Sequence, residues 1–417
     1  MPKSGEVQHF SLGVNYWPRS SAMYWWRRFD LAEVGEDFDR ISALGLETVR
    51  FFIDWEAFAP EIDAIDATMC ARFMQVLDAA AAAGLRCMPT LFCGHMSGCN
   101  WLPAWSLDSQ TPHGRFRTIS GGAISPYGIG DFYAREDLLV AQELLATTLG
   151  NVARGHEALY TWDLGNEFSN LREPASPQDA AAWSARLSAA LLASSDAPVT
   201  GGIHGEDFSR DRHIRPSSIS VPWQIATMHG YPVYSAFARS RTDADVVPFL
   251  AELARAFTAK PVLFSELGNP SCPPGTVSPY DRVPLPDEPP VDAKTLPRNA
   301  APYACLTDDE MATYAYAVLD RVQQRGAIGA MWWCYADYDA ALATLPPFDL
   351  ATHEMRFGIV RADGSLKPVA LALQRFAREA RPVVAPNDAP HNESAFYASL
   401  PDGIDAAYRE YCQRYDD

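Results

Sequence analysis

Short β-branched and aromatic runs alternate along the chain with longer stretches whose apolar residues recur at helical spacing. This alternation is the signature of a parallel sheet wrapped by helices. Strands are expected at 10–15, 48–53, 86–92, 159–164, 199–204, 225–229, 261–265 and 328–333. Helices are expected at about 31–44, 68–83, 136–152, 177–192, 245–257 and 307–324. Asp66 stands as a cap just before the second helix, and Gly45 and Gly84 close the first two. Eight strands with intervening helices predict an α/β fold, a (β/α)8 TIM barrel over about 10–380. The Pro- and Asp-rich stretch 381–417 reads as an extension of the same single domain, 1–417. Long connections after strands one, three and seven fall on the C-terminal face, where barrels build their sites. The proline-rich one, 268–302, reads as an ordered loop over the barrel mouth.

Charge narrows the partners. The formal net charge is −18, from 34 basic and 52 acidic residues. Such a surface repels phosphate backbones and anionic headgroups, so nucleic acid and membrane are poor partners. The small-apolar run Ala79–Ala83 is far short of the roughly 20 residues a spanning helix needs. The first nine residues have no apolar signal core, which predicts a cytoplasmic protein. Cysteines 70, 87, 93, 99, 272, 305, 334 and 412 form no C-x-x-C pair and no regular framework, which predicts reduced, buried thiols. Cys93, His95 and Cys99 lack a second cluster to complete a four-ligand set, so neither metal nor cofactor is expected.

Two strand ends carry chemistry. Trp162-Asp163-Leu164-Gly165-Asn166-Glu167 places an Asn-Glu pair where strand four runs out, and Val262-Leu263-Phe264-Ser265-Glu266 places a glutamate at the end of strand seven. Singly, either glutamate is as well explained as a helix cap or an ordinary strand end. Together they lie across the mouth of the barrel from one another. Retaining glycoside hydrolysis needs two carboxyls about 5–5.5 Å apart, and opposed strand ends can supply that separation.

The arrangement resembles the clan of retaining glycoside hydrolases with catalytic glutamates on strands four and seven, and most of all glycoside hydrolase family 5. The resemblance spans roughly 10–380. It implies Glu167 as acid/base and Glu266 as nucleophile. Arg50 matches the family's strand-two arginine, and His95 its strand-three histidine with a slight displacement by Cys93-Gly94. Asn166, His229 and Tyr231 match the strand-four Asn and the strand-six His-x-Tyr. Trp333 matches the strand-eight tryptophan, with Trp332 as competitor. The ending Phe357–Pro368 resembles the hairpin before the last helix of such enzymes.

Physical chemistry assigns compatible roles. An ionised Glu266 wants a cation and donors, which Arg50 and the Tyr231 hydroxyl can provide. Glu167 must hold a proton, so it wants an apolar or anionic setting, which Trp162 and the Glu266 charge can create. Asn166 can bond the sugar 2-hydroxyl, and His229 can orient Glu167 or a hydroxyl. Aromatic loops suit the apolar faces of sugars: Tyr16-Trp17, Tyr24-Trp25-Trp26, Trp55, Trp101, Trp105 and Trp223 follow strands, with Trp17 and Trp101 as candidate contacts and Trp333 as the floor. About half of these are expected only to pack loops. Arg27-Arg28 reads as a solvated or salt-bridged pair. The expected activity is a retaining β-glycosidase acting on β-mannoside or β-glucoside oligosaccharides, with exo action favoured. The alternatives are an endo-β-1,4-mannanase or glucanase with an open groove, and a non-catalytic carbohydrate-binding barrel.

Overall fold

Eight parallel strands close into a ring in the computed structural model, which describes residues 9–272 and 305–415. They are β1 (Ser11–Asn15), β2 (Thr48–Asp54), β3 (Arg86–Cys93), β4 (Trp162–Asp163), β5, β6 (Ala226–His229), β7 (Val262–Leu267) and β8 (Gly329–Trp332). β5 comes in two pieces, Val199–Thr200 and Gly202–His204. The first pairs with β4 and the second with β6, so the interrupted strand completes the ring. The fold is the (β/α)8 barrel that the alternation predicts.

Helices make the outer layer because each carries one apolar stripe. In α1 (Leu31–Ala43) the Asp30 carboxylate accepts from the amides of Ala32 and Glu33, while Val34, Phe38 and Ile41 form the buried face. α2 (Ala67–Ala82) starts at the predicted cap, with Asp66 accepting from Met69 N at 2.9 Å. α3 (Glu136–Val152), α4 (Pro177–Ser194), α5 (Val246–Thr258), α6 (Asp308–Gln324) and α7 (Pro368–Arg378) follow β3, β4, β6, β7 and β8. Between β5 and β6 stand two short turns of helix, Glu206–Ser209 and Pro216–Ile219. Inside the ring, Met88 of β3, Leu263 of β7 and Met331 of β8 cluster with Ile328. Strands so far apart in the ring touch only through its interior, so this cluster plugs the barrel below the mouth.

Connections on the C-terminal face build the rim. The stretch after β3 folds into a small sheet from His95–Met96, Cys99–Trp101, Arg117–Ser120 and Ala123–Ser125, with a second pair from Leu107–Pro112 and Tyr127–Ile129. The loop expected at 268–302 lies outside the described residues beyond Cys272. Cys272 and Cys305, 33 residues apart, form a disulfide. This corrects the expectation of reduced thiols throughout. No spacing rule singles out the pair; the chain leaving β7 and the chain entering α6 bring the two together. Cys70, Cys87, Cys99, Cys334 and Cys412 are free and buried.

Past Arg381 the chain forms α8 (Glu393–Ser399) and α9 (Gly403–Gln413). Tyr408 and Tyr411 of α9 meet Phe249 of α5 with ring centroids 5.1 and 5.4 Å apart. The segment therefore packs on the outside of the barrel. Among the described residues, no helix is long and apolar enough to cross a membrane.

Candidate active site

Polar side chains from strands β1 to β7 gather at the mouth of the barrel, and Arg50 of β2 joins several of them. Its buried guanidinium donates from Nε and Nη2 to Asp163 Oδ2 at 3.0 and 2.7 Å. Nη1 donates to Glu266 Oε1 at 2.5 Å and to Asn15 Oδ1 at 3.1 Å, and Nη2 to Asn166 Oδ1 at 2.8 Å. Thr90 Oγ1 adds a bond to the same Asp163 oxygen at 2.7 Å. Burial opposes the charge of Arg50, but Asp163 and Glu266 outweigh it and raise its pKa.

Glu266 is held from its other side by the Tyr231 hydroxyl, which donates to Oε2 at 2.7 Å. Burial, with the neighbouring Glu266 charge, pushes the Tyr231 phenol well above its ordinary pKa, so it keeps the proton it donates.

Glu167 stands just beyond β4 with φ +46°, a left-handed conformation uncommon outside glycine. Gly202 makes room for this turn: a Cβ there would lie 2.2 Å from Gly165 O and 3.2 Å from Glu167 N. Asn170 Nδ2 donates to Glu167 Oε2 at 2.8 Å, and His229 Nδ1 faces Oε1 at 3.1 Å. His95 Nε2 and His204 Nδ1 stand 3.8 and 3.7 Å from Oε2. Burial lowers the pKa of all three imidazoles, His204 to about 4 and His229 to about 3. Near neutral pH they therefore orient Glu167 without setting a positive charge beside it.

His229 Nδ1 also lies 3.6 Å from Glu266 Oε2. One donor or acceptor atom from each of Glu167, His229 and Glu266 lies within 4.8 Å of the other two. The two carboxyls thus come as close as a retaining pair requires. The same spacing suits a divalent cation, but Arg50 already neutralises Glu266 and competes with any ion there.

A cavity of about 410 Å³ opens over the pair, lined by Asn166, Glu167, Glu266, His95, His229, Tyr231 and Trp333. Arg50 lies beneath it. Of the two tryptophans in contention, Trp333 lines the cavity. Trp332 turns the opposite way, as neighbours on a strand must, and its Nε1 donates to Phe357 O at 3.1 Å.

Three expectations need correction. Trp17 does not line the cavity; it stacks flat on Phe52 at 4.8 Å. Trp101 stands away from it too, edge-on to Tyr24 at 5.3 Å. Trp162 faces outward and donates to Ser195 Oγ at 2.9 Å, so the surroundings of Glu167 are imidazoles and Asn170 rather than an indole. The shared cause is that large rings gain more by burying against one another than by lining a wet cleft. Trp25, Trp26, Trp55 and Trp223 are likewise buried, and Arg27 pairs with Asp54 and Glu56 away from the cavity.

Sequence reasoning missed Asp163, Asn170, His204 and Glu354. Asp163 had a usable signal, since it lies within the strand-four motif. Glu354 had none: it lies just before the stretch Phe357–Pro368 that the resemblance covers. Two ion pairs also escaped notice. Arg115 donates to Glu206 at 2.5 Å, and Arg117 makes a two-fold contact with Asp349 at 2.8 and 2.6 Å. They tie the insertion after β3 to the loops after β5 and β8, across the cavity mouth.

A parallel barrel whose mouth holds a close carboxyl pair, a buried arginine and an indole lining the cavity is built like the glycoside hydrolases, and the likeness to family 5 read from the sequence holds in the fold. Neither a protein-family model nor a curated protein matches the chain. Solved structures do. The chain is similar to Op5Man5, an exo-beta-1,4-mannosidase from Opitutaceae bacterium strain TAV5, with 25% identity and a TM-score of 0.70. That match covers 91% of this chain and 61% of the other, so the chain spans less than two thirds of that protein. It is similar in fold to GH5_18 from Streptomyces cattleya in complex with GlcNAc, at 22% identity, TM-score 0.76, and 97% and 91% coverage. A form of GH5_18 from Bifidobacterium longum subsp. longum ATCC 55813, in complex with Manb1-4GlcNAc, matches at 22% identity, TM-score 0.70, and 90% and 80% coverage. These likenesses show the fold.

Proposed function

We propose that the chain is a retaining β-glycosidase that removes terminal β-mannosyl units, or closely related β-hexosyl units, from small oligosaccharides. The observation that carries this is the close Glu167–Glu266 pair, with Arg50 and Tyr231 both bonded to Glu266. Glu266 attacks the anomeric carbon and forms a covalent glycosyl ester. Glu167 gives its proton to the departing glycosidic oxygen. Water then attacks the anomeric carbon, Glu167 takes its proton, and the bond from that carbon to Glu266 breaks to free the carboxylate. Asn166, with its carbonyl held by Arg50 and one amide hydrogen given to His95 O, keeps a second hydrogen for the sugar 2-hydroxyl. Trp333 supplies the floor.

Exo action is supported by the two ion pairs that fasten the β3 insertion over the cavity. Mannose is favoured over glucose by the names of the similar structures, an exo-beta-1,4-mannosidase and a Manb1-4GlcNAc complex. The whole chain serves as one domain, with 381–415 as an outer brace. A cytoplasmic site of action belongs to the same proposal. The free buried thiols support it, and the Cys272–Cys305 disulfide, of a kind that persists in oxidising compartments, weighs against it.

Proton NMR of the first product from a β-1,4-mannooligosaccharide tests mechanism and mode together. The expected result is β-mannose, appearing before mutarotation, with the chain shortened by one sugar at a time. Initial release of α-mannose would contradict retention, and initial release of internal fragments would contradict exo action.

A further inference from the structure

The loop after β8 carries a buried carboxyl that the proposed reaction leaves unused. Glu354 lies in the helical turn Thr352–Arg356, lines the cavity and exposes 7% of its surface. Donors from three parts of the rim converge on it. Ser97 Oγ, from the insertion after β3, donates to Oε2 at 3.0 Å. Trp333 Nε1 donates to the same oxygen at 3.4 Å. The Tyr234 hydroxyl, from the loop after β6, donates to Oε1 at 3.1 Å. His353 Nε2 also stands 3.5 Å from Oε1 and 2.9 Å from the Tyr234 hydroxyl. A carboxylate offers about four lone-pair directions, so the three bonds leave room for a donor from the cavity.

The setting makes Glu354 a costly group to keep for packing alone. Burial raises its carboxyl to about 7; the three donors partly offset this, and the nearby Glu266 charge adds to it. Asp349, a few residues earlier, receives the two-fold contact from Arg117. Glu354 therefore sits where the β3 insertion and the β8 loop meet and wall the cavity.

Building on the β-glycosidase reading above, we propose that Glu354 is a specificity-determining residue, which accepts a hydroxyl from the sugar ring end remote from the anomeric carbon. It thereby selects a free terminal sugar over an internal one. In a β-1,4-linked chain the 4-oxygen of an internal sugar sits in a glycosidic bond and has no proton to give. The next sugar would also have to pass through the wall that Ser97, Arg117 and Asp349 make. Because Glu354 also holds the Trp333 indole, one carboxyl sets both the floor under the sugar and the acceptor at its far end.

The test compares kcat/KM for 4-nitrophenyl β-mannoside and its 4-deoxy and 6-deoxy analogues, using wild type, Glu354→Gln and Glu354→Ala. Wild type is expected to lose about 10–100-fold on the 4-deoxy analogue, the range of a hydrogen bond to a charged group, and a loss confined to the 6-deoxy analogue overturns the selection of a terminal sugar. Glu354→Ala is expected to narrow that discrimination to within about threefold, chiefly by raising KM for the parent glycoside. Glu354→Gln keeps a carbonyl acceptor and is expected to fall between the two. Loss of packing alone would lower activity on parent and analogues together and leave the ratio unchanged. An unchanged ratio in Glu354→Ala overturns the proposal. Should that variant not fold, an unchanged ratio in Glu354→Gln does so. Equal activity of wild type on all three substrates also overturns it. A wild type that cleaves neither β-hexosides nor β-linked oligosaccharides overturns the glycosidase reading itself, and this assignment with it.

Discussion

Glu266→Ala is expected to keep the barrel and to lose turnover on the order of 10⁴-fold or more, as removal of a covalent nucleophile does elsewhere. The fold survives because Arg50 is not stranded. Asp163 Oδ2 still receives two bonds from it, at 3.0 and 2.7 Å, and Asn15 and Asn166 receive one each. What disappears is the carboxylate that Arg50 and Tyr231 together steer toward the cavity. Azide fits the space left behind and is expected to restore turnover on an activated aryl glycoside, giving the α-glycosyl azide. Steady-state kinetics with and without azide, beside a circular dichroism spectrum, checks both halves. Near-normal turnover without azide, or a β-azide product, would remove Glu266 from the role proposed for it.

Arg50→Met is expected to cost about 3–5 kcal/mol of stability, because removing one member of a buried ion cluster leaves the others charged and unpaired. Asp163 is fully buried and would keep only Thr90 Oγ1 as a side-chain partner, at 2.7 Å. Glu266 would keep Tyr231. The loss reads directly as a lower urea midpoint. Activity should vanish in parallel, since the guanidinium fixes Glu266 and Asn166 at once. Arg50→Lys separates the two effects. A lysine restores one positive charge but not the planar fork that reaches Asp163, Glu266, Asn15 and Asn166 together. It is expected to recover much of the stability and little of the activity. A stable, active Arg50→Met would contradict the account of the mouth as one charged network.

The barrel was legible in the sequence because buried parallel strands read as apolar runs and their helices carry capped stripes: Thr48–Asp54 and the Asp66-capped helix lie where the pattern put them. The interruption of β5 at Gly201, which closes the ring, was not legible, because strand pairing is a property of the ring and not of the segment. In the site, Glu167 and Glu266 follow strands that the pattern marks, whereas Arg50, Asn166, His229 and Tyr231 were picked out by the family resemblance; the structure brings all six together. Residues on loops escaped because neither pattern nor resemblance marks them. Glu354 meets Ser97 across 257 positions of sequence, and Cys272 meets Cys305 by closure of a segment with no pattern. Trp17 misled because an aromatic after a strand is equally suited to a sugar and to Phe52, and only packing decides between them.

The most direct measurement is covalent trapping with a 2-deoxy-2-fluoro-β-mannosyl fluoride, followed by intact mass and peptide mapping. The fluorine slows both steps by destabilising positive charge at the anomeric carbon, and the good leaving group lets the first step outrun the second. One added sugar per chain is expected, on the peptide carrying Glu266, with no adduct in Glu266→Ala. An adduct on another carboxylate, or an equal adduct in Glu266→Ala, would contradict the assignment of the pair.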